Sequence, residues 1–482
     1  MNWMHSFWAK LELPGRRFVL IIWLLALALR VIYALSVDLI PDNYVGIDMD
    51  AVEYDYLGWS IAQGHGMVTH FGDQTSIRFP GYPYFLGLIY FIFGHHHIAV
   101  LLVQALLGSL TPVLIYLTAR RLFSVKVSQI AVVVAAVYPG FIYFVGWLMT
   151  ENLFILLVSL LLYLTVTLRE GVSWKRLVLI GVLLGCLSLT RGVGLPFIGI
   201  IPLYMFLRLS GELRDRLARA ALVLAVALLM LVPWTVRNYG AYHRIMLPSS
   251  EGGLILWLGF TNIPLIHYET DEAFTYVERV GKKHAQSEEF YRLLAENNYF
   301  GLAAMQRIFQ LYYPDEPPPQ SEPEGTERLG RKAMALLVQN PGAWVVKSVK
   351  QVFRFWHVID ERGRFVNGYA FILPFFMAGA WLLRRRFGDL LPLYLYLLVL
   401  YGMAIIFFAD ARFRLPFESV LIIVGAFGIE RFLSIFRRVY WGYGILAAFF
   451  LFNFYLRLHS LQVRLVLRSI AGALGIPVAD MQ

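Results

Sequence analysis

Residues 18–36 are apolar throughout except for Arg30, and comparable runs recur at about 98–119, 127–146, 152–168, 177–190, 193–207, 220–236, 368–383, 390–408, 415–434 and 439–456. No other feature narrows the fold as far. A run of this length crosses a hydrocarbon core of about 30 Å as a helix, because lipid offers no partner for an open backbone N–H or C=O. Composition points the same way. Hydrophobic residues fill 59% of 482 positions and charged residues only 15%, where a soluble domain carries about 25% charge. The expected fold class is an all-α polytopic membrane protein with about 11 transmembrane helices.

The single cysteine, Cys186, lies in an apolar run. It excludes an intrachain disulfide and any cysteine-based metal cluster. The net charge of +10 does not point to nucleic acid, since the basic residues fall in short clusters between spans. Residues 18–36 follow a basic start without a small-residue cleavage site, so they read as a retained anchor.

Those clusters orient the chain. They are Lys10/Arg16/Arg17, Arg120/Arg121/Lys126, Arg169/Lys175/Arg176, Arg208/Arg214/Arg216/Arg219, Arg384–Arg386 and Arg431/Arg437/Arg438. If the short apolar segment 80–94 does not cross, all six fall on one side, which the positive-inside rule makes cytoplasmic. Segment 80–94 is therefore expected to be a helix packed at the outer interface or entering the membrane only partway. The opposite, outer face then collects Asp50, Glu151, Arg191, Arg237, Asp410 and Arg412, and charges at the mouths of spans usually line a pathway or a site. Arg30 is the clear mid-span charge. The expected domains are a transmembrane module over 1–236 with a first outer loop 37–97, an outer loop region 237–367, transmembrane helices over 368–456, and an amphipathic tail 457–482. Within 237–367, "PDEPPPQSEPEG" reads as too polar to pack alone. "AWVVKSVKQVFRFW" (343–356) reads as an interfacial helix.

The first outer loop is unusually acidic. In "GIDMDAVEYDYLGWSIAQGHG" (46–66), Asp50, Tyr54, Leu57 and Ile61 share one helical stripe. From spacing alone Asp50 is a helix N-cap, and Asp48, Glu53 and Asp55 are solvated neighbours. "GHHH" (94–97) reads as an interfacial turn: three consecutive histidines cannot face one point on a regular helix, and no second ligand set is spaced beside them. Tyr242, His243 and Trp257 sit at the interface without an assigned role.

Six stretches, in order, are similar to motifs of bacterial membrane glycosyltransferases related to protein O-mannosyltransferases and lipid A aminoarabinose transferases. "DAVEYDYLGWSIAQGHG" resembles D-A-x-x-Y-x-x-L-A-x-x-L-A-x-G-x-G. "RFPGYPYFLGLIYFIFG" (78–94) resembles R-x-P-G-Y-P-x-F-L. "YPGFIYFVGWLMTENLF" (138–154) resembles Y-P-x-x-x-Y followed by T-E-x-L, and "LTRGVG" (189–194) resembles L-T-R-P. "PWTVRNYGAYHRIMLPSSEGG" (233–253) resembles P-W-T-x-R-N-Y followed by S-x-x-G-G, and "DARFRLPFE" (410–418) resembles D-x-R-Y-R-x-P. Gly58 replaces the common Ala, and Gly192 the usual Pro. Both are packing positions.

The resemblance implies the GT-C fold and transfer of a sugar, with inversion, from a polyprenyl-phosphate carrier at the outer face of a bacterial inner membrane to a lipid, glycan or protein hydroxyl. It makes Asp50 the catalytic carboxylate of the first loop. Such a transfer needs one base for the acceptor proton. The lipid-phosphate leaving group needs positive charge rather than an acid, and guanidinium suits it best. Arg191 and Arg237 are the first candidates to hold that phosphate, with Arg78 and Arg412 after them. Interfacial snorkelling is the bland reading for each, and for Arg414. Glu151, Tyr54 and Tyr82 are expected at the substrate. Glu151 otherwise merely starts a helix. No metal ligand is assigned: Asp50 and Glu151 could hold a divalent ion, but two dispersed carboxylates are a weak signal. No Walker, glycine-rich nucleotide, zinc or Ser-His-Asp pattern is present, which favours a lipid-linked donor. A flippase for lipid-linked sugars is the alternative. It would need polar groups deep in several spans, and inverted repeats are not evident.

Overall fold

The computed structural model describes residues 15–38, 49–69, 72–170, 172–246, 248–261, 301–356, 367–407, 411–436 and 439–458. Expectations on Lys10, Asp48, Asp410, Arg437, Arg438 and nearly all of the tail lie outside them. Among the described residues the regular structure is helical, apart from an isolated bridge between Val68 and Gln74.

Helix α1 spans Arg16–Asp38, α2 Met49–Ala62 and α3 Gly81–Phe93. Next come α4 His97–Leu122, α5 Val125–Ala136, the short α6 Pro139–Tyr143, α7 Glu151–Val166, α8 Trp174–Thr190, α9 Leu195–Arg208 and α10 Leu213–Tyr242. The outer loop region supplies α11 Gly252–Thr261, α12 Gly301–Tyr312, α13 Glu322–Gln339 and α14 Pro341–Phe355. The chain closes with α15 Asn367–Leu383, α16 Leu391–Ile406, α17 Leu415–Ile435 and α18 Val439–Leu458. A helix stands at every expected span position. Arg16–Val37, α4 and α10 are long and apolar enough to cross a membrane, and α5 with α6 makes a fourth span if that pair, bent by 46°, counts as one. Five shorter apolar helices among the described residues are α3, α7, α9, α16 and α18.

The bend has a local cause. Pro139 lacks an N–H and disfavours helix in the residue before it, so α5 cannot continue into α6. Arg30, fully buried, donates to the carbonyls of Ala26 (3.0 Å) and Ala136 (3.1 Å). The mid-span charge thus caps backbone at the end of α5.

Helix α17 is the most enclosed element. It packs on α15, α5 and α7, and nearly every side chain from Leu415 to Ile429 is buried. Contacts also sort the charges by end. Arg386 reaches the carbonyl of Leu122 (3.4 Å), and Arg208 that of Gly388 (3.1 Å). Three of the basic clusters therefore meet at one end of the bundle.

At the other end, α2 and α3 pack face to face. The approach is close enough that a Cβ on Gly58 would lie 2.6 Å from Leu86 Cβ, and one on Gly87 2.6 Å from Ile61 Cγ2. Glycine is required at both. The outer loop region shares a small core with the first outer loop: Ile77 packs with Leu254, Trp257, Met305, Ile308, Phe309, Leu329 and Ala333. The proline- and glutamate-rich segment, expected to be too polar to pack, docks against that core. Pro323 and Glu322 are buried, and Ser321 caps α13 by accepting from Glu324 N. One apolar–polar pattern misses this because the segment packs through prolines and a capped helix start. Helix α14 leaves Val345, Val346 and Val349 exposed, as an interfacial helix would.

Candidate active site

Asp50 lies inside the first turn of α2, one residue past its start rather than at the expected N-cap, where the helix dipole still favours a carboxylate. Its two oxygens are divided between two arginines from distant parts of the chain. Arg78 Nη2 lies 2.6 Å from Oδ1, and Arg412 Nη2 2.9 Å from Oδ2. Arg78 comes from the turn leading into α3, and Arg412 from the 3-10 turn Ala411–Arg414 before α17. Burial pushes the Asp50 carboxyl up, but Arg78 and Arg412 outweigh it and hold the group well below the usual carboxylate range. Asp50 is nevertheless 23% exposed, so the cluster opens to the surface.

Arg78 is the hub. Its Nε lies 2.6 Å from Glu53 Oε2, its Nη1 3.7 Å from Glu251 Oε1, and its guanidinium 5.3 Å from the Tyr54 ring centre. Glu53 was expected to be solvated, yet it is only 7% exposed. It sits three residues after Asp50, on the same face of the helix, so the arginine that meets one meets both. Burial raises its proton affinity, with Arg78 opposing; Glu251 behaves alike.

A second pair stands beside the first. Arg191 Nη1 donates to Glu151 Oε1 (2.6 Å) and Thr150 Oγ1 (2.7 Å). The Phe413 ring lies 5.2 Å from both the Arg191 and the Arg412 guanidinium carbons. Neighbours on one short turn, Arg412 and Phe413, thus tie the two ion pairs together. Glu151 does begin a helix, and its buried side chain is also spent on Arg191.

Arg237 is placed differently. Its Nη1 donates to the Thr75 carbonyl (2.8 Å) and its Nη2 to that of Met67 (2.9 Å). It straps the first outer loop to the end of α10, and the structure does not bring it into the Asp50 cluster. Tyr82 is fully buried; its hydroxyl donates to Gln104 (3.0 Å) and its ring meets Tyr54 edge-on at 5.2 Å. It supports Tyr54 from behind. Arg414 does not snorkel: it is buried on Glu418 (3.0 Å), over the Tyr369 ring. Trp257 is in the outer-loop core, donating to the Tyr313 hydroxyl (2.7 Å), and His243 caps α10 in a left-handed conformation.

Two carboxylates escaped the sequence reading. Glu251 belongs to "PSSEGG", which runs along residues 76–78: Ser250 N donates to the Ser76 carbonyl (2.9 Å), and Ser249 Oγ to that of Ile77. Glu322 Oε2 accepts from Ser76 N (2.7 Å) and Thr75 Oγ1 (3.1 Å). Burial raises its pKa to about 7, partly offset by those donors. The Ser-x-x-Glu cap in "SEPE" was a visible signal for a helix there, though not for burial.

Asp55 was also expected in solvent. It is 4% exposed, accepting from the Tyr90 hydroxyl (2.5 Å) with His95 Nε2 at 2.9 Å and His97 Nε2 at 3.1 Å. Residues 94–97 do turn, as expected, but a ligand-bearing partner stands beside them. His96 is extended (φ −118°, ψ 110°), and in extended chain residues i and i+2 face the same way.

The arrangement of apolar helices around this end can be matched to known folds. The archaeal oligosaccharyltransferase AglB from Archaeoglobus fulgidus, in complex with an inhibitory peptide and a dolichol-phosphate, aligns over 92% of this chain with a TM-score of 0.53 and 16% identity. The fold is GT-C. A family model described as dolichyl-phosphate-mannose-protein mannosyltransferase matches residues 76–236 of this GT-C protein. Those residues include Arg78, Glu151 and Arg191. The apo oligosaccharyltransferase of Archaeoglobus fulgidus aligns over 88% of the chain and 51% of its own, with a TM-score of 0.52 and 17% identity. ArnT from Cupriavidus metallidurans bound to undecaprenyl phosphate aligns over 87% of this chain and 79% of its own, with a TM-score of 0.40 and 15% identity. The GT-C chain spans 56% of the AglB chain, little more than half. A search of the curated proteins finds no match.

Proposed function

We propose that this GT-C membrane protein is an inverting glycosyltransferase that moves a sugar from a polyprenyl-phosphate donor to an acceptor hydroxyl. Asp50 is the base, and the observation that carries the reading is its position between Arg78 and Arg412. The acceptor oxygen attacks C1 of the sugar, the C1–O bond to phosphate breaks with its electron pair leaving on the phosphate, and the acceptor proton passes to Asp50. No acid is needed for that leaving group, only cationic donors.

The ion pairs give this scheme a trigger. Locked between two guanidiniums, Asp50 is a weak base. A donor phosphate competes for the same guanidiniums, most readily that of Arg412, whose side chain is 28% exposed against 15% for Arg78. Surrendering Arg412 removes one counter-charge from Asp50 and raises its proton affinity as the donor arrives. Arg78 remains to orient the carboxylate, and Arg191 holds Glu151 at the sugar side. Tyr54 offers an aromatic wall. Arg237 serves the site by fixing the loop that carries Arg78.

The cluster lies at the end of the bundle away from Arg208, Arg386 and Leu122, so the positive-inside rule supports an outward-facing site in a bacterial inner membrane. The 237–367 region covers the site and selects the acceptor. It supplies Glu251 and anchors through Glu322. Residues 1–236 form the donor-binding module and 368–456 complete the span set.

A membrane assay with radiolabelled polyprenyl-phosphate sugars tests the reading. Transfer by wild type and its loss in Asp50→Asn is expected; undiminished transfer by that variant ends the base assignment.

A further inference from the structure

We infer that Asp55, His95 and His97 form a binding site for a borderline divalent transition metal, zinc foremost, which clamps α2 to the start of α4. The inference stands independently of the proposed transferase activity. Its ligands are one carboxylate oxygen and two imidazole Nε2 atoms, all within 4.8 Å of one another. Ligands of a four-coordinate zinc at about 2.0–2.1 Å sit at tetrahedron edges of roughly 3.3 Å. The Oδ1–Nε2 separations of 2.9 and 3.1 Å are already within a few tenths of an ångström of that.

The surroundings favour a metal over a chance meeting of side chains. Both Nε2 atoms and the Tyr90 hydroxyl converge on the same oxygen, Asp55 Oδ1. A cation between the imidazoles and the carboxylate replaces two N–H donors crowding one acceptor, and a neutral imidazole is the form that ligates. Tyr90 then becomes the outer partner that orients the carboxylate, an arrangement metal sites commonly use. His95 is also held in plane by Trp59, stacked at 4.8 Å with 6° between the rings. The Asp55 side chain is 5% exposed while those of His95 and His97 are 25% and 29% exposed, so an ion has a route in and space for water as a fourth ligand. Two imidazoles and one carboxylate suit zinc and its neighbours rather than calcium or magnesium, which prefer all-oxygen sets.

The position gives the site a use. Asp55 lies on the same helix as Asp50, and the two histidines flank the turn into α4. Bound metal fixes the rotation of α2 and hence the direction in which Asp50 points.

The test uses tag-free, full-length protein in detergent, stripped with chelator and titrated with Co²⁺ and then Zn²⁺. A tetrahedral Co²⁺ visible spectrum, displaced by equimolar Zn²⁺, is expected, with a Zn²⁺-dependent rise in melting temperature. Asp55→Asn, His95→Ala and His97→Ala should abolish both signals. Tyr90→Phe should weaken binding about tenfold. His96→Ala, altering the exposed middle histidine, should leave binding intact. His97→Gln, which keeps the volume and a polar tip, repeats the test should His97→Ala not fold. No stoichiometric Co²⁺ spectrum in wild type, or equal loss in His96→Ala, overturns the site.

Discussion

Arg412 Nη2 meets Asp50 Oδ2 at 2.9 Å, closing a contact between residues 362 positions apart. The turn before the late helix α17 therefore helps set the charge state of a carboxylate on the first outer loop. Arg412→Ala should raise the donor KM more than it lowers kcat, because a phosphate ligand is lost and the base remains. Arg412→Lys should restore charge but only part of the affinity, since a lysine cannot offer the forked guanidinium. Asp50→Asn, by contrast, should cost about 10²–10⁴-fold in kcat. Equal KM and kcat effects for both positions would contradict the division of roles.

The carboxyl of Asp50 is depressed in the folded protein, so its contribution to stability is present above the ordinary aspartate range and is lost as pH falls through the folded value. Melting temperature in detergent should therefore drop on acidification below the ordinary range. In Arg412→Ala that drop should be smaller and should be complete at higher pH. Identical pH profiles for variant and wild type would show that Arg412 does not depress Asp50.

Glu322 behaves in the opposite sense. Its pKa is raised from 4.5 to about 7, so its stabilisation is fully present below the unfolded value and is lost as pH rises through about 7. Hydrogen-exchange protection over residues 72–79 and 322–339, taken relative to the intrinsic rate at each pH, should fall between mildly acidic and mildly alkaline pH. Glu322→Gln should flatten that dependence while keeping the hydrogen bonds from Thr75 and Ser76 to an oxygen acceptor. A variant as pH-sensitive as wild type would reassign the effect.

Arg237→Ala removes two bonds to loop carbonyls. Each hydrogen bond from a charged group contributes about 1.5–3 kcal/mol. Proteolysis and exchange near residues 67–76 should increase. Donor affinity should fall less than in Arg412→Ala; a larger fall would put Arg237 at the phosphate.

The orientation has a separate check. A reporter fused after residue 123, beside the basic Arg120/Arg121 cluster, should be cytoplasmic. A signal from the opposite side would mean that α3 crosses the membrane.

Helix positions were legible because apolar length is written locally: all eleven expected segments contain helix, although α10 starts at Leu213 rather than 220 and 127–146 is broken at Pro139. The family resemblance singled out Asp50, and the outer-face orientation singled out Arg78, Glu151, Arg191 and Arg412; the fold gathers these residues at one end. What stayed hidden depends on chain reversal. Glu53 and Asp55 look like solvated neighbours of Asp50 until α3 packs against α2 and brings Arg78 to one, Tyr90 and His95 to the other. Arg237 reads as a phosphate ligand until the carbonyls of Met67 and Thr75 are seen to take its guanidinium. Glu322 sits in a stretch whose composition suggests disorder, and only its docking on Thr75 and Ser76 buries it.

The 2.6 Å clearance at Gly58 also bears on how such a chain can drift over generations. The similar transferases commonly carry alanine at this position, yet one extra methyl here would strike Leu86 Cβ. Positions 58 and 86 are therefore not free to vary separately. A lineage passing from glycine to alanine at the first must take glycine at the second, since every other side chain keeps its Cβ, or widen the gap between the helices, and the second route shifts the carboxylate at the head of α2. Exchange at one buried, chemically silent position would then tune the reach of the base without touching a single charged residue.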